Sequence, residues 1–567
     1  HLQTFKPSAS CIAFNNNNLI QAGSMSSDHI SSQPDTTGNK EYGTVSFNTI
    51  CNLCSLGCAI NLTFEQNEIV GIKGANGLIN DNGRICNQPL FGYKAVTKGN
   101  RITTPLLRKN GRLEPVDWDE AFNVLHDKVV NGDPREKAFF AGARLTNEEQ
   151  YLVMKLSRAC AYSNNIGSFH YLGRGTGYTK LSRANIPFAE LTEAGKIYII
   201  GSEVESDNPM AAYFIFNNQQ ELKIPVEFIT LDPQSKLIDK ADKHLVIKSY
   251  FHFIKAVNHY IVSHELEDKV YINNLVENFE DYKKTLLSLN INDLQIASGV
   301  SGEIIEKFAL EYLREPKAVL VFSENNLSGH TCGEIFNLAL LTGKHGRTGA
   351  GLMLLKENNN SHGLHDIGVM WNLGPGATPW DDPFQRSTIQ FHWRSNDLPV
   401  DKGCTFHTLS DSGYRSLFIF GEDPIGCAID KDRIKSMLAK SSFIMVQDYT
   451  LTETAKLANL VLPASFPYET GGTFTNCQRV IQKVDKRTKS PLTYDSWKQL
   501  EELLSLSGYD RFETIDDVTF EIASLLPKFC TSSKLLFKVN DNDNYNPLFN
   551  AGADSIRYIA AKSGLKS

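Results

Sequence analysis

From about residue 115 onward the chain alternates amphipathic segments with short apolar runs. Two segments, 117–120 and 146–149, begin with a side chain that can cap a helix and carry a glutamate three positions later, so each predicts a helix start. Five short apolar runs between predicted helices have the length and composition of buried parallel strands. These runs are 196–200, 226–231, 319–322, 417–420 and 443–446. The pattern predicts the α/β fold class.

Two of the strand runs end in the same way. The run 197–200 continues into Gly201 and then Asn208-Pro209, and the run 417–420 continues into Gly421 and then Asp423-Pro424. A glycine after a buried strand permits a sharp turn and the close approach of a ligand. The similarity predicts two related α/β domains with ligand-binding loops at the carboxyl ends of their sheets. Tight turns without a ligand remain the alternative.

The remaining segments have a different character. Residues 1–45 are polar and lack apolar periodicity, which predicts an extended arm. Residues 46–110 contain cysteines, glycines and short strand-like runs, which predicts a small β-rich module. Residues 511–567 predict a helical and polar C-terminal extension.

Composition excludes several classes of function. The formal charge is −7, which gives no support for nucleic-acid binding, since that function needs a basic face. No run approaches the ~18 consecutive apolar residues that predict a transmembrane helix, so no direct membrane span is expected. Seven of the 11 cysteines are isolated in sequence, which is typical of free thiols in a reducing compartment.

The other four cysteines form the most specific motif. Cys51, Cys54 and Cys58 lie within eight residues, and Cys86 follows after 27 more. Four thiolates can surround a [4Fe–4S] cluster with one cysteine on each iron. Structural zinc more often uses two separate C-x2-C pairs, so the spacing favours iron–sulfur over the zinc alternative. We therefore predict one [4Fe–4S] cluster bound by these four residues.

Over residues 46–505 the chain resembles the molybdopterin oxidoreductase family, whose landmarks occur here in the family's order. Besides the cysteine motif they are 101–108, 118–121, 146–149, 231–233, 358–366, 447–448, 452–455, 460–464 and 469–476. The resemblance implies a small N-terminal [4Fe–4S] module followed by two interleaved doubly wound α/β domains. This is the formate dehydrogenase/DMSO reductase-like fold, with the α/β domains at about 111–410 and 411–510 with mixing. In the family these domains enclose a pair of pterin dinucleotides.

Several departures from the family's catalytic pattern separate its branches. The loop 168–178, where active members carry a metal ligand, has no cysteine or acid, and Thr176 is a poor substitute. Gln88 replaces a lysine on the route from cluster to pterin, Lys356 replaces an active-site arginine, and Gln234 replaces another arginine. Only 70 residues follow Trp497, so the C-terminal barrel domain is expected to be absent.

These departures resemble the large iron–sulfur subunit of respiratory complex I, the NADH:quinone oxidoreductase. That resemblance implies an electron-carrier and scaffold subunit of the peripheral arm, without catalysis of its own and without molybdenum, tungsten or pterin. The implied partners are other complex I subunits, including a ferredoxin-like iron–sulfur polypeptide and flavin-bearing NADH-oxidising subunits. The implied location is peripheral, on the inner face of an energy-transducing membrane, on the mitochondrial matrix or bacterial cytoplasmic side. The alternative is a catalytic Mo/W-bis-pterin oxidoreductase such as a formate dehydrogenase alpha subunit.

Two further groups have open interpretations. His362 and His365 beside Asp366 are expected to be structural residues of the former pterin pocket, and a functional site is the alternative. The glycine-rich segment 343–351 is expected to be a turn, and a phosphate site is the alternative.

Overall fold

The structure is a computed structural model that describes residues 44–66, 68–81, 83–97, 101–172, 185–526, 535–540, 542–543 and 548–564. The predicted arm therefore lies almost entirely outside the described residues.

The cysteine motif belongs to a small antiparallel sheet. Its strands are β1 (Val45–Ile50), β2 (Ala59–Glu65) and β3 (Glu68–Gly74). Ile50 pairs with Ala59, so the β1–β2 connection is the segment that carries three of the cysteines. The first helix, α1 (Gln88–Thr97), begins two residues after Cys86.

A five-stranded sheet contains only parallel strands. Its order is β10 (Lys243–Val246), β9 (Val226–Thr230), β8 (Lys196–Ile200), β12 (Ala318–Ser323) and β13 (Gly351–Leu355). From β8 the chain adds β9 and then β10 on one side of β8. It then crosses back and adds β12 and β13 on the opposite side of β8. The sheet is therefore doubly wound, with its switch point between β8 and β12.

A seven-stranded sheet combines distant parts of the chain. Its order is β5 (Arg112–Pro115), β4 (Leu106–Lys109), β18 (Leu460–Pro463), β17 (Phe443–Asp448), β16 (Ser416–Phe420), β6 (Lys137–Ala141) and β7 (Ile166–Gly167). Only β4 and β5 run antiparallel to their neighbours. The complete five-stranded sheet lies in sequence between β7 and β16. This interleaving of two doubly wound sheets confirms the predicted fold class.

The other described strands form three two-stranded ribbons. They pair β11 (Val276–Glu277) with β21 (Leu535–Leu536), β14 (Leu373–Gly374) with β15 (Thr378–Pro379), and β19 (Gly472–Thr475) with β20 (Ile481–Val484). None of the sheets in the described part of the chain closes into a barrel.

Helices cover the sheets and connect their strands. After α1 they are α2 (Trp118–Val130), α3 (Asn147–Lys155), α4 (Val204–Asp207), α5 (Pro209–Leu222), α6 (Tyr250–Ser263), α7 (Lys269–Leu275), α8 (Phe279–Leu287), α9 (Ile291–Ser298), α10 (Gly302–Arg314), α11 (Gly329–Leu341), α12 (Ser361–Ile367), α13 (Pro383–Trp393), α14 (Phe406–Asp411), α15 (Lys431–Leu438), α16 (Glu453–Leu457), α17 (Pro467–Thr470), α18 (Ser496–Leu506), α19 (Ile515–Leu525) and α20 (Ser555–Gly564). Within the described residues, no helix combines the length and apolar character needed to cross a membrane.

Both predicted helix starts are present. The side chain of Asp117 accepts a hydrogen bond from Glu120 N, and Thr146 forms a reciprocal capping box with Glu149. The second helix is shorter than predicted, because a π-helical turn, Leu156–Cys160, replaces its last part. Capping chemistry therefore identified where these helices begin, whereas the π turn has no local sequence signal.

The C-terminal extension returns to the cysteine module. The turn Asn550–Ala553 leads into α20, which packs against α1. This placement brings the last described helix next to the cysteine module.

Candidate functional site

The cysteine loop is a closed and buried turn. Cys51 N donates to Cys58 O at 2.8 Å, so the first and third cysteines of the motif are joined through the backbone. Cys51, Cys54 and Cys58 are buried, and Cys86 is partly exposed. Gly57 has φ +69°, a conformation that favours glycine, and its carbonyl accepts from Gln482 Nε2 at 2.9 Å.

The four thiols lie close enough to affect one another electrostatically. Burial raises the pKa of Cys86 to about 12, and it raises the pKa values of Cys51 and Cys58 well above their usual range; the neighbouring thiols add to each effect. Thiolates in this loop therefore need cations to compensate them. Sequence reasoning gave Cys477 no role, yet it is buried beside the loop, where its N–H donates to Ser55 O at 2.7 Å.

A single zinc ion and a [4Fe–4S] cluster require different spacings of their thiolate ligands. With Zn–S bonds of about 2.3 Å, tetrahedral zinc would bring its thiolates to about 3.8 Å from one another. Among the described residues, no three histidine, cysteine or carboxylate side chains converge closely enough to hold one metal ion. Four neighbouring thiols match the ligand number of a [4Fe–4S] cluster, with one cysteine on each iron.

A second polar site lies where the carboxyl ends of the two large sheets face each other. Ser168 and His170 follow β7, Glu422 follows β16, Glu324 follows β12 and Lys356 follows β13. These five side chains, here called the polar chamber, belong to residues that are each at most 3% exposed. Open α/β sheets commonly bind ligands at this edge.

His170 connects the two sheets within the polar chamber. Its Nε2 lies 2.9 Å from Glu324 Oε1, and its backbone N donates to Glu422 Oε1 at 3.2 Å. Ser168 Oγ donates to the same Glu422 oxygen at 2.7 Å, and Lys356 Nζ donates to Glu324 Oε2 at 3.2 Å. Because the Glu324 carboxylate accepts a hydrogen bond from His170 Nε2–H, Nδ1 is the acceptor nitrogen of the neutral ring.

Burial changes the proton affinities of the chamber. It lowers the pKa of Lys356, against the opposing effect of the Glu324 carboxylate. It also raises the pKa of Glu422 to about 7, against the hydrogen bonds from Ser168 and the following backbone. The chamber thus contains a buried Lys356–Glu324 pair and a second carboxyl group whose pKa is raised to about 7.

A turn of the C-terminal extension closes the chamber. Asp423 N donates to Ala553 O at 2.8 Å, which fixes the turn Asn550–Ala553 over the ends of the strands. Gly552 has φ +53°, and a Cβ at this position would lie 2.2 Å from His170 Nδ1. Only glycine fits here, and its close approach keeps water from the imidazole.

Asn208 links the cysteine loop to the chamber. Its Nδ2 lies 3.3 Å from both Ser55 Oγ and the carbonyl oxygen of Lys356. The cysteine loop and the chamber are therefore neighbours connected through one side chain.

The region around this link contains buried polar atoms without hydrogen-bond partners in the structure. They are Asn208 Oδ1, Asn358 Oδ1, both amide atoms of Asn359, both ring nitrogens of His362, and Gln482 Oε1. Each buried unsatisfied polar group costs roughly 1–3 kcal/mol. Such a group of donors and acceptors fits a polar heterocyclic ligand such as a pterin.

The other residues selected from the sequence have varied surroundings. Lys356 is part of the polar chamber. The side-chain oxygen of Gln88 accepts a hydrogen bond from Arg557 in the C-terminal helix α20. Gln234 is exposed. The loop 168–178 is described only to residue 172, so Thr176 lies outside the described residues.

His362 and Asp366 lie close together in sequence but differ in their hydrogen bonding. His362 has both ring nitrogens among the unsatisfied atoms, whereas Asp366 is paired with Arg479 at 2.5 Å.

In the segment 343–351, Lys344 lies over the Tyr312 ring and Arg347 pairs with Asp268. These contacts favour the turn interpretation of that segment.

Comparison with known proteins gives the family. The molybdopterin oxidoreductase family matches residues 101–505, and the Fe4S4 domain of molybdopterin oxidoreductases matches residues 44–98. The chain belongs to the molybdopterin oxidoreductase family.

Several proteins with similar sequences are alpha subunits of formate dehydrogenases. The chain is 29% identical over 506 residues to F420-dependent formate dehydrogenase 2 subunit alpha of Methanococcus maripaludis, covering 86% of this chain and 74% of that one. It is also 29% identical over 505 residues to F420-dependent formate dehydrogenase subunit alpha of Methanocaldococcus jannaschii, with coverage of 85% and 74%. The solved structure of acetylene hydratase from Pelobacter acetylenicus aligns with a TM-score of 0.58 at 14% identity, covering 81% of this chain and 69% of that one. This last likeness shows the fold alone.

These relatives correct the predicted branch of the family. The expectation of a non-catalytic scaffold subunit of complex I, with complex I partners, is wrong, because the similar proteins are alpha subunits of formate dehydrogenases. The expectation of no molybdenum, tungsten or pterin is contradicted as well, since the family match covers both large sheets. The physical reason is that the prediction weighed single loop positions, whereas the polar chamber is assembled from four separate segments of the chain.

Proposed function

We propose that this chain is a catalytic Mo/W–pterin oxidoreductase of the formate dehydrogenase type. In this proposal Cys51, Cys54, Cys58 and Cys86 bind a [4Fe–4S] cluster that carries the electrons away. The observation that carries the proposal is the set of unsatisfied buried polar atoms between the polar chamber and the cysteine loop. The formate dehydrogenase relatives support the choice of formate as substrate.

The unsatisfied atoms are the proposed contacts of the pterin. Asn208, Asn358, Asn359, His362 and Gln482 would hold it beside the cysteine loop. When bound, the Mo/W–pterin group accepts the two electrons released as formate becomes carbon dioxide and a proton.

Residues of the polar chamber bind and orient the substrate. Lys356 Nζ is a fully buried cation, so it would bind the formate carboxylate with little competition from water. The Glu324 carboxylate orients both Lys356 and His170. These contacts would hold formate between the two sheets.

His170 is the proposed proton acceptor. Its Nε2 proton is held by Glu324, and Nδ1, which lies 3.4 Å from Asn358 Nδ2, would exchange that contact for the proton that formate releases. Glu357 Oε2 lies 3.8 Å from Nδ1 and would receive the proton next. The closed turn at Gly552 keeps bulk water away from this route.

The electrons would leave through the cluster to a further subunit of a formate dehydrogenase. The peripheral location on the inner face of an energy-transducing membrane stays a prediction.

Metal and pterin analysis tests the proposal. Anaerobically purified chain should contain stoichiometric molybdenum or tungsten with a releasable pterin, together with about four iron and four sulfide. A chain with a complete cluster but neither molybdenum nor tungsten would contradict the catalytic proposal. Zinc in place of iron would contradict the cluster.

A further inference from the structure

The C-terminal helix places one arginine next to the cysteine loop. Arg557 lies in the first turn of α20 and is 3% exposed. The Asp554 carboxylate accepts from the backbone N of Ile556 and Arg557, which fixes the start of the helix.

The guanidinium of Arg557 makes three hydrogen bonds. Its Nη1 donates to Leu53 O at 2.9 Å, between the first two cysteines, and to Gln88 Oε1 at 3.2 Å, two residues after the fourth. Its Nη2 donates to Asp207 O at 2.7 Å. The arginine therefore joins the cysteine loop, the start of α1 and the end of α4.

All three acceptors are uncharged. Among the described residues, no carboxylate oxygen lies within ion-pair distance of the Arg557 guanidinium. Asp207 and Asp554 are the nearby acids, but Arg557 bonds to the backbone carbonyl of Asp207, and neither carboxylate forms an ion pair with its guanidinium. A buried cation without a direct ion pair is unfavourable unless further negative charge lies nearby.

The cysteine ligands supply that charge. The Arg557 guanidinium bonds to Leu53 O, which lies between Cys51 and Cys54, and to the Gln88 side chain, two residues after Cys86, so its charge lies beside both parts of the ligand set. A [4Fe–4S] cluster with four thiolates is an anion, and it gains one more negative charge when it takes up an electron.

We propose that Arg557 is the counter-cation of the cluster and raises its reduction potential, so that the C-terminal helix tunes electron transfer. This inference rests on the proposed cluster at the four cysteines. Arg557 acts through the cluster and is a positioning residue. A unit charge at roughly 10 Å with an effective dielectric constant of about 20 changes a reduction equilibrium by roughly tenfold.

A redox titration of the holoprotein, followed by the EPR signal of the reduced cluster, tests this inference. Arg557→Gln should make one-electron reduction about tenfold less favourable, which is about 59 mV lower. Arg557→Lys retains the charge and should keep the potential within about threefold of wild type. The matched control is Lys562→Gln, which removes an exposed cation from the same helix and should leave the potential unchanged.

A second variant covers the case in which Arg557→Gln does not fold. Gln88→Glu puts a carboxylate against the intact guanidinium and should also lower the potential. An intact cluster with an unchanged potential in either variant would overturn the inference. Loss of cluster content without a change in potential would also overturn it, because a purely structural arginine gives that result. A wild-type chain without any iron–sulfur signal would instead overturn the proposed cluster.

Discussion

Replacing Lys356 tests the polar chamber most sharply, because the structure separates its effect on stability from its effect on substrate binding. Lys356 Nζ lies 3.2 Å from Glu324 Oε2, and both side chains are 0% exposed. Lys356→Met leaves Glu324 as a buried carboxylate that has lost its cation, although donors such as His170 Nε2 and Glu357 N stay in place. Removing one partner of such a pair costs about 3–5 kcal/mol.

A double variant removes the stability effect. In Lys356→Met with Glu324→Gln both charges are absent, so most of the lost stability should return. Thermal unfolding at one fixed scan rate should show a lower melting temperature for the single variant and a recovery in the double variant.

Substrate binding should not recover in the same way. If Lys356 binds the formate carboxylate, its loss removes a charge-assisted hydrogen bond of roughly 1.5–3 kcal/mol. At ~1.4 kcal/mol per factor of ten, KM for formate should rise by roughly 10- to 150-fold in both variants. Lys356→Arg, which keeps the charge, should lose less. Steady-state assays with an artificial electron acceptor measure these values, and a double variant with normal stability and a normal KM would refute the role of Lys356.

Three further outcomes are expected. Gly57→Ala should reduce cluster content, because its Cβ would lie 2.0 Å from Gln482 Oε1, whereas Gly111→Ala, also at positive φ but in open space, should leave the iron content unchanged. Cys54→Ser should abolish the EPR signal of the cluster, while Cys477→Ser should retain it; the reverse result would reassign the ligands. Burial raises the pKa of Glu422 from 4.5 to about 7. Between these values the folded chain keeps a proton on Glu422 that the unfolded chain releases. The free energy of unfolding should therefore fall as the pH rises from about 5 to 7. Glu422→Gln should weaken this pH dependence in denaturant titrations, and an unchanged slope would contradict the assignment.

The strands and the cysteine loop could be predicted because their signals are local. The run at 196–200 is β8 and the run at 417–420 lies within β16, since continuous apolar runs between helices are typical of buried parallel strands. The four cysteines are close in sequence, apart from one returning residue. Their spacing alone therefore indicated the class of cofactor.

The polar chamber and the arginine could not be predicted in this way. Glu324 and Glu422 are single acids after different strands, and only the pairing of distant segments brings them to His170. Arg557 is 469 positions from its acceptor Gln88, and nothing in its local sequence signals a contact with the cysteine loop. The predicted branch of the family failed for a related reason: it depended on which side chains were missing at single positions.

The most direct test of the central claim is the reduction of the cluster by formate. Anaerobic, oxidised chain with bound molybdenum or tungsten should develop the EPR signal of the reduced [4Fe–4S] cluster when formate is added. The Lys356→Met variant should need a much higher formate concentration for the same effect. A cluster that is reduced by dithionite but not by formate, in a chain with its molybdenum or tungsten in place, would contradict the proposed formate dehydrogenase activity.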